Sequence, residues 1–550
     1  MFRFLSSGCD TIFCYPGGQV IDLFDELYTA RDRIKQILSA HEQGAAHAAD
    51  GYARATGKVG VVIATSGPGA TNLVTGIATA ALDSVPMVAI TGNVPCELIG
   101  RDSFQEVDIV GVTMPITKHN FIVKDISELA DTLRTAFKIA KSGRPGPVLV
   151  DIPKDVQTAL FEFEANAQPV IPYPITFASE EKLKKAAEMI NNAERPYIYF
   201  GGGVISGKAS AQIIALAEQI DAPMGCSLMG LSAVPCDHPK FLGMQGMHGH
   251  YASSIAEDEA DLVIALGARF SDRATGNKSR YAKHFSIIHI DIDGAELHKN
   301  INADLAIRGD IRDAAERLIA MTEAKKRPQW AQRIEELKKE EAARTASARK
   351  TKSGFLHPYD IVDIISAHAG DDTIIATDVG QHQMWAAQYY PVINPRSFLT
   401  SGSLGTMGFG LPAAIGASLA NPQKRVICFS GDGSIMMNIQ ELATLSELNL
   451  PVTVIVFENG TLGMVYQQQK YLFEKNYSAS VFAKSPDLLN IARGFGIEAI
   501  DADQDEQWYL KAFNPERSAK PCFVRVRINP EECVLPFVPG GKANIDSIRD

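Results

Sequence analysis

The 550-residue chain lacks the signatures of several protein classes. Its eight cysteines include no C-x-x-C pair, which argues against a zinc site or a dense disulfide framework. No stretch approaches 18 uninterrupted apolar residues, and the first ten residues carry no long apolar segment with a small-residue cleavage site. The 53 basic residues are outnumbered by 64 acidic ones, and the net charge of −11 argues against a general nucleic-acid or acidic-membrane surface. We therefore expect a reduced, soluble, cytoplasmic protein without a nucleic-acid or membrane partner.

The composition and the hydrophobic pattern of the chain indicate a large globular protein. Hydrophobic residues make up 46% of the chain and charged residues 21%, which argues against disorder, collagen and a coiled coil. Length alone predicts about three or four domains. Short apolar runs alternate with amphipathic stretches, which favours parallel α/β architecture. The runs predicted to be buried strands are 11–14, 59–64, 87–90, 148–152, 197–200, 262–266, 287–292, 373–377, 425–429, 452–457 and 522–526.

Composition also divides the chain into blocks. The proline-rich, uncharged stretch 169–174 predicts a linker, and the charged stretch 325–354 predicts an exposed helix leading into a third block. Two similar outer blocks around a different middle one would fit a duplication. We expect domains at 1–167, 175–324 and 358–540, a charged helical linker at 325–357 and a C-terminal tail at 541–550.

The most informative pattern lies in the third block. One predicted strand runs into the GDGS turn at 431–434, the apolar spacing of 435–448 predicts a helix, and the next strand ends just before Asn459. Asp432 and Asn459 are 27 residues apart, about one β-α-β crossover, so both reach the carboxyl edge of one sheet. Their oxygens suit Mg²⁺, while the glycines and the helix N-terminus favour an anion. GDGS alone also fits a plain turn before a helix, but together with Asn459 it predicts a metal-bridged diphosphate.

This turn resembles the thiamine-diphosphate motif, in which an Asp side chain, an Asn side chain and a main-chain oxygen two residues later hold magnesium. Here those positions are Asp432, Asn459 and Thr461. Thiamine chemistry also needs a carboxyl group that hydrogen-bonds the cofactor's ring nitrogen N1′, so that the cofactor's own amino group acts as the base. Glu42, which ends a short apolar strand and opens a helix, is the candidate. Taken alone, it also fits a routine partner of the helix dipole.

The stretch around Glu42 (HEQGAAHAADGYAR) resembles the glutamate motif of these enzymes, and the resemblance extends over nearly the whole chain. The chain is similar to the catalytic large subunit of acetohydroxyacid synthase (acetolactate synthase). The matching stretches are 15–18, 65–72, 103–108, 153–156, 267–273, 378–385 and 463–465. The resemblance implies three doubly wound parallel-sheet domains: pyrimidine-binding, central FAD-binding and diphosphate-binding. It also implies decarboxylation of pyruvate and ligation to a second 2-keto acid, pyruvate or 2-ketobutyrate, the first common step of branched-chain amino-acid synthesis.

The resemblance implies thiamine diphosphate, Mg²⁺ and FAD as cofactors. The residues expected at thiamine diphosphate are Val379, Gly380, Gln381, His382, Gly405, Met407, Gly431, Gly433, Ser434 and Met464. Met407 is expected to wedge beneath the cofactor, although a methionine alone also fits ordinary core. The residues expected at FAD are Arg144, Gly201, Gly202, Gly203, Ser227, Leu228, Met247, His248, Gly267, Ala268, Arg269, Arg273, Asp291 and Asp310. Because the ligation has no net redox step, this FAD would be structural.

The residues that the resemblance places at the reaction centre are Glu42, Phe104, Gln105, Lys154 and Arg273. Arg273 is expected to bind the carboxylate of the second keto acid, which suits a guanidinium, whereas a lone loop arginine also fits a surface charge. In this family the cofactor bridges two chains, and the partner subunit supplies the residues that correspond to Glu42, Phe104 and Gln105. A homodimer or tetramer is therefore expected, and a regulatory small subunit can join it.

Two positions depart from the family pattern. Glu458 replaces the first of two asparagines before the metal turn, while the ligand Asn459 is kept. Gln468 stands where a tryptophan usually shapes the acceptor pocket, which predicts a weakened preference for 2-ketobutyrate because a methylene is worth only about 1–3 kcal/mol. Two other functions stay open: a pyruvate oxidase-like or other thiamine-diphosphate and FAD 2-keto acid decarboxylase, and a non-catalytic flavin- or nucleotide-binding protein.

Overall fold

The computed structural model describes residues 9–162, 176–349, 354–514 and 520–549, so the expected linker at 169–174 lies outside the described residues. The described residues form three six-stranded sheets in which the paired strands are parallel. Helices connect the strands and flank the sheets. The expected class of three doubly wound α/β domains is confirmed. We call the parts that carry the sheets the N-terminal unit (9–162), the middle unit (176–321) and the C-terminal unit (354–538).

The two outer sheets share one strand order, and the middle sheet has another. The N-terminal strands are β1 (Thr11–Tyr15), β2 (Lys35–Leu38), β3 (Gly60–Ala64), β4 (Met87–Asn93), β5 (His119–Ile122) and β6 (Pro147–Pro153), ordered β2-β1-β3-β4-β6-β5. The middle strands are β7 (Pro196–Phe200), β8 (Met224–Cys226), β9 (Phe241–Met244), β10 (Leu262–Leu266), β11 (Ser286–Asp291) and β12 (Leu305–Arg308), ordered β12-β11-β10-β7-β8-β9. The C-terminal strands are β13 (Thr373–Thr377), β14 (Phe398–Leu399), β15 (Arg425–Gly431), β16 (Val452–Glu458), β17 (Glu498–Asp501) and β18 (Cys522–Arg527), ordered β14-β13-β15-β16-β18-β17.

The helices follow the same division. The N-terminal unit contains Ile21–Thr29, Glu42–Thr56, Pro68–Asn72, Val74–Leu82, Ile109–Thr113, Ile126–Lys141 and Lys154–Thr158. The middle unit contains Glu180–Asn192, Gly202–Ser206, Ser210–Gln219, Tyr251–Asp258, Asp272–Thr275 and Ile311–Met321, and Pro328–Ala348 follows it. The C-terminal unit contains Pro358–Ala369, Gln381–Tyr389, Gly410–Ala420, Asp432–Ile435, Glu441–Glu447, Gly463–Leu472, Leu488–Gly494 and Trp508–Ala512. In the described part of the chain, none of these helices has the length and apolar character needed to span a bilayer.

Strand order determines where ligands can bind. The chain reverses its direction of strand addition between β7 and β10 in the middle sheet, and between β13 and β15 in the C-terminal sheet. Ligands of open α/β sheets bind in the crevice outside the carboxyl ends of the strands at such points. The GDGS turn follows β15, and Gly201 and Gly267 follow β7 and β10. The fold therefore brings two of the sequence motifs to the two crevices.

All eleven apolar runs predicted as buried strands form strands, and so does the short strand before Glu42. The strands that the pattern did not predict are β5, β8, β9, β12, β14 and β17. Five of these six lie at a sheet edge. An edge strand is covered on fewer sides, so its sequence can be more polar and less distinct from a loop.

Two helix predictions need correction. The single helix expected over 435–448 is interrupted between Asp432–Ile435 and Glu441–Glu447, where Asn438 is buried and its Nδ2 donates to Gly408 O at 2.8 Å. The helix Pro328–Ala348 is not exposed all round, because Trp330, Ile334 and Leu337 are buried. The Trp330 indole N–H donates to Pro196 O at 3.1 Å, which fixes this helix on the middle unit.

The N-terminal and C-terminal units meet through the helices Glu42–Thr56 and Gly410–Ala420. The first is rich in alanine, begins after His41, whose side chain accepts from Gln43 N, and ends at Gly57 with φ of 73°. Glycines allow the two helices to approach closely: a Cβ at Gly51 would lie 2.2 Å from Ala413 O, and one at Gly416 would lie 1.9 Å from Ala48 O. A methyl group at either position would push the units apart.

We expect Gly416→Ala to destabilise the protein, because overpacking a close contact costs about 1–3 kcal/mol. The matched control is Gly494→Ala, since Gly494 is also helical but a Cβ added there would have no other atom within 4 Å among the described residues. Thermal unfolding of both variants checks this. A Gly416→Ala melting temperature equal to that of the control would contradict the close packing of the two helices.

Candidate active site

The three expected metal ligands lie together at the carboxyl edge of the C-terminal sheet. Gly431 pairs with Phe457 across β15 and β16, so both strands end at the same level. Asp432 Oδ2 accepts from the main-chain N–H of Gly460 at 2.7 Å and of Asn459 at 3.2 Å. Asn459 Oδ1 accepts from Thr461 N and Oγ1 at 3.1 and 2.9 Å. Burial raises the pKa of the Asp432 carboxyl to about 6.

A cavity of about 220 Å³ opens beside this edge. Every residue expected at thiamine diphosphate lines it, from the turn after β13, the segment around Met407, the GDGS turn and the start of helix Gly463–Leu472. The three expected metal ligands line it as well. The lining therefore combines the carboxylate of Asp432 and the amide of Asn459 with the thioethers of Met407 and Met464.

His382 is an unusual group in this lining. Its side chain is buried, and within the described part of the chain Nε2 has no hydrogen-bond partner. Burial lowers its pKa to about 3, so the ring is neutral at pH 7. Gly431 is required beside it, because a Cβ there would lie 2.9 Å from His382 Nδ1. A buried ring nitrogen without a partner is costly unless a ligand completes its hydrogen bonding.

Glu42 lies elsewhere in the same chain. It is buried at the start of its helix, and its Oε2 accepts from Asn72 Nδ2 at 3.0 Å. The main-chain N–H groups of Ala40 and His41 donate to Glu441 Oε atoms at 3.2 and 3.0 Å, which anchors the segment before the helix. Within the described residues, Glu42 does not line the 220 Å³ cavity. Among the described residues, the cavity that Asp432 lines is thus bounded without Glu42.

The other reaction-centre residues of the N-terminal unit stay on that unit. The backbone of Gln105 has φ of 59° and lies against Gly67, where a Cβ would be 2.8 Å from Gln105 O. Phe104 has 85% of its surface exposed. Lys154 forms an ion pair with Asp22 and donates to Gly18 O at 3.1 Å. An aromatic ring so exposed next to a strained loop residue marks a surface suited to contact.

Two further cavities lie at the crevice of the middle sheet, with volumes of about 280 and 620 Å³. Every residue expected at FAD lines one or the other, and Gly202, Gly267 and Arg269 line both. The larger one shares Gly405 and Met464 with the 220 Å³ cavity. The two expected cofactor regions are therefore neighbours.

Arg273 and Gln468 both line the larger cavity. The Arg273 side chain is 67% exposed, and its Nη1 lies 3.7 Å from Met247 Sδ. The main-chain N–H of Met247 donates to Arg273 O at 2.7 Å, and Val538 N donates to Met247 O at 3.0 Å. Arg273 Nε also lies 3.9 Å from Asp272 Oδ2, an exposed ion pair that an anion in the cavity can replace, while the backbone of Arg273 is held.

Three family models cover the chain. They are described as the N-terminal TPP binding domain, the central domain and the C-terminal TPP binding domain of thiamine pyrophosphate enzymes, and they match residues 1–112, 183–318 and 378–526. The chain is 47% identical over 535 residues to the acetolactate synthase isozyme 1 large subunit of Escherichia coli strain K12, covering 97% of this chain and 94% of the relative. The chain belongs to the acetolactate synthase large-subunit family of thiamine pyrophosphate enzymes.

Other relatives extend this similarity. A probable acetolactate synthase large subunit of Methanocaldococcus jannaschii is 46% identical, covering 98% of this chain and 92% of the relative. The isozyme 2 large subunit of Escherichia coli strain K12 is 43% identical, covering 99% of this chain and 97% of the relative. The family expected from the motifs is confirmed, and so is thiamine diphosphate as a cofactor, since two of the matching domains bind it.

The sequence patterns did not identify several residues that hydrogen-bond the segments around the candidate site. Asn72, the partner of Glu42, was part of a matching stretch but received no role. Glu441 and Asp83 were not considered at all, because they act on segments that are hundreds of residues away: Asp83 accepts from Gly402 N and Ser403 N at 3.1 and 2.9 Å. Neither acid has a local signal in the sequence. Only the packing of the N-terminal and C-terminal units reveals them.

A buried polar network lies beneath the larger cavity. Glu257 Oε1 accepts from Gln245 Nε2 at 2.7 Å and from the Tyr281 hydroxyl. Gln245 Oε1 accepts from the Tyr197 hydroxyl at 3.1 Å, and that hydroxyl lies 2.8 Å from Ser253 Oγ. Burial raises the pKa of Glu257 to about 7. Gln245 lines the cavity, so the network supports its wall.

We expect Glu257→Gln to gain stability relative to the wild type as the pH rises from 5 to 8. The unfolded chain releases this proton near the ordinary value of 4.5, whereas the folded chain holds it until about 7, so wild-type stability falls across that window. The change amounts to about 1.4 kcal/mol per pH unit at most. Thermal unfolding at several pH values checks it. Ser253→Ala, which perturbs the same network without removing an acid, should show a constant offset, and parallel Glu257→Gln and wild-type curves would contradict the assignment.

Proposed function

We propose that this chain is the catalytic subunit of an acetolactate synthase, which converts two molecules of pyruvate into 2-acetolactate and CO₂. The observation that carries the proposal is the 220 Å³ cavity, whose lining includes the three expected metal ligands and the ten residues of the C-terminal unit expected at thiamine diphosphate. The 47% identity to an acetolactate synthase large subunit over 97% of the chain supports the same activity. Its place would be the first common step of branched-chain amino-acid synthesis, in the cytoplasm.

The residues present fit a magnesium diphosphate. Asp432 and Asn459 offer a carboxylate and an amide oxygen, and the main-chain oxygen of Thr461 is available two residues later, a donor set that suits Mg²⁺. The Nε2 of His382, in the same lining, has no hydrogen-bond partner among the described residues and fits a phosphate oxygen. Gly431 and Gly433 keep the turn open, since a Cβ at Gly433 would lie 2.8 Å from Leu462. These residues would hold the diphosphate end.

Thiamine diphosphate, when bound, supplies the carbon that takes up the two-carbon unit of pyruvate as CO₂ leaves. The chain's own residues orient this chemistry. Met407, which lines the cavity, would support the cofactor rings. The Glu42 carboxyl would share a proton with the ring nitrogen N1′. Glu42 is not among the described residues that line the 220 Å³ cavity, which supports its supply by a second copy. The exposure of Phe104, 85% in the single chain, supports a partner on this face.

The middle-unit cavities fit FAD. Gly203 and Gly267 approach so closely that a Cβ at Gly203 would lie 2.6 Å from Gly267 Cα, so the segments after β7 and β10 can meet this closely only as glycines. Arg144 and Arg269 both line the smaller cavity, and burial together with Arg144 lowers the pKa of Arg269. Two guanidiniums in one lining suit a diphosphate, and Arg144 would exchange its ion pairs with Glu296 at 2.6 Å and Asp293 at 3.5 Å for it. Asp291 and Asp310 line the same cavity and suit sugar hydroxyls. The flavin would be structural, because the ligation transfers no electrons overall.

The second 2-keto acid would bind beside this flavin site. The exposed end of Arg273, in the larger cavity, pairs with its carboxylate, and Gln468 faces the same cavity. Lys154, Phe104 and Gln105 close the site from the second copy. The assembly we propose is a homodimer or tetramer with its sites between chains. A regulatory small subunit is a further proposed partner, because the relatives are named as large subunits.

We expect the protein with pyruvate, Mg²⁺ and thiamine diphosphate to form acetolactate without bleaching bound flavin. Glu42→Gln should keep cofactor binding and lose most of the turnover, by about 100-fold or more, because an amide cannot share the proton at N1′. Glu128→Gln is the matched control, since Glu128 also lies in the first turn of a helix. Product analysis and stopped-flow absorbance measure both effects.

Two results would count against this assignment. Rapid stoichiometric bleaching of the flavin by pyruvate under anaerobic conditions would indicate a pyruvate oxidase instead. Full activity of Glu42→Gln would remove Glu42 as the activating acid. Glu42 would then be only a partner of its helix dipole, like Glu128, whose replacement by glutamine we expect to leave turnover unchanged.

We expect Gln468→Trp to raise the preference for 2-ketobutyrate over pyruvate as acceptor, by about tenfold, because an indole adds apolar contact for the extra methylene. Competition assays with both keto acids measure the product ratio. Gln468→Ala is the control, since it removes the amide without adding a ring, and it should leave the ratio near that of the wild type. A wild-type enzyme already strongly biased towards 2-ketobutyrate would contradict the role of Gln468.

A further inference from the structure

Asp378 is the first residue after β13, and none of its surface is exposed. In the described part of the chain it does not line the 220 Å³ cavity, yet it contacts three segments that do. We propose that Asp378 is a positioning residue that fixes these three segments around the thiamine diphosphate of the proposed function, on which this inference rests.

The contacts of the Asp378 carboxylate reach three separate parts of the site. Oδ1 accepts from the main-chain N–H of Val379 at 2.9 Å and of Gly408 at 2.7 Å. Oδ2 accepts from Ser430 Oγ at 3.1 Å. Val379 begins the turn after β13, Gly408 follows Met407, and Ser430 precedes the GDGS turn. One side chain thus joins the diphosphate turns to the segment beneath the rings.

The segment after Met407 is held from two sides. The Gly408 N–H donates to Asp378, and the Gly408 carbonyl accepts from Asn438 Nδ2 at 2.8 Å. Gly408 has φ of 89°, a conformation that favours glycine. With both polar groups of Gly408 paired, the Met407 backbone has little freedom to shift along the cavity wall.

The backbone around Asp378 is closely packed, so there is no space for a larger residue at the neighbouring Gly410. A Cβ at Gly410 would lie 2.6 Å from Asp378 N and 2.9 Å from its Cα. The Asp378 N–H itself donates to Phe429 O at 2.7 Å, which ties the end of β13 to β15. Because Asp378 is fully buried, loss of the carboxylate removes the acceptor of the Val379 and Gly408 N–H groups and leaves the Ser430 hydroxyl with only its 3.4 Å contacts to Gly431 O and Ser434 Oγ.

Replacement of Asp378 by asparagine and by alanine distinguishes a positioning role from a role of its negative charge. In Asp378→Asn the amide oxygen can still accept from Val379 and Gly408, and the amide nitrogen can donate to Ser430 Oγ after the hydroxyl rotates. Asp378→Ala removes all three bonds. A positioning role therefore predicts near wild-type behaviour for Asn and a large defect for Ala, whereas a role in proton transfer or charge predicts that both fail.

The test measures cofactor binding and C2 proton exchange, neither of which needs a keto acid. Trp385 lines the cavity and is one of three tryptophans, so quenching of tryptophan fluorescence at fixed Mg²⁺ reports thiamine diphosphate binding. Quenched-flow exchange of the cofactor's C2 proton into D₂O, followed by NMR, reports how well the bound rings are oriented. We expect Asp378→Ala to weaken binding and slow exchange by about tenfold or more each, and Asp378→Asn to stay within about threefold of the wild type.

The matched control is Asp261→Ala. Asp261 also accepts from two main-chain N–H groups, Glu194 N at 2.7 Å and Arg195 N at 2.9 Å, but lies at the far end of the middle sheet. We expect it to lower the melting temperature without changing binding or exchange. If Asp378→Ala lowers the melting temperature only, as this control does, the positioning role is overturned. Equal failure of Asp378→Asn and Asp378→Ala overturns it too.

A double variant tests the path through Met407. Each single variant, Asp378→Ala and Met407→Ala, slows C2 proton exchange by some factor. If Asp378 acts on the segment that carries Met407, the double variant slows exchange by less than the product of the two factors. Independent, multiplicative defects would contradict that path. Should the wild type bind thiamine diphosphate and exchange its C2 proton but make no acetolactate, the proposed function fails while the test of Asp378 stands.

Discussion

The site depends on the parallel pairing of β13, β15 and β16, because this pairing brings three turns to one edge at one level. Strands buried on both sides tolerate little change of register, since a shift by one residue would reverse every side chain. The turns after these strands carry Val379, Asp432 and Asn459, and hydrogen bonds between the turns then set distances that the strands alone would leave loose. Sheet register is therefore the first constraint on the chemistry, and the polar contacts of the turns are the second.

The apolar pattern predicted this part of the fold well. The eleven apolar runs follow from local sequence, because buried parallel strands are continuous apolar runs, and the spacing of Asp432 and Asn459 places both at one sheet edge. The residues expected around the cofactor came from the resemblance to the family. Edge strands were missed where solvent permits polar residues, and the helix expected over 435–448 was wrong because Asn438 turns inward to bond Gly408. Roles such as that of Glu441, which accepts from Ala40 and His41, have no local pattern at all.

Those long-range contacts carry the precision of the site. The helix that presents Glu42 is alanine-rich, and the glycine contacts with helix Gly410–Ala420 and the anchor at Glu441 set its position, together with the few large side chains that it carries. Small residues permit close approach but give little specificity by themselves, whereas a buried carboxylate with two N–H donors accepts one geometry. Together, the glycine contacts set the distance between the two helices, and Glu441 sets the position of the start of the Glu42 helix along its axis.

A buried ion cluster extends the same logic to the wall between the two cofactor regions. Arg54, on the Glu42 helix, pairs with Asp50 and, at 2.9 Å, with Asp83, and donates to Thr400 O at 2.9 Å. Asp83 in turn accepts from the backbone of Gly402 and Ser403. Charges buried this deeply are tolerated only when all are paired, and removal of one leaves the others unpaired at a cost of several kcal/mol, about 3–5. The loop between the cavities therefore cannot move independently of the Glu42 helix, so the geometry of the wall belongs to the joined units and not to either one alone.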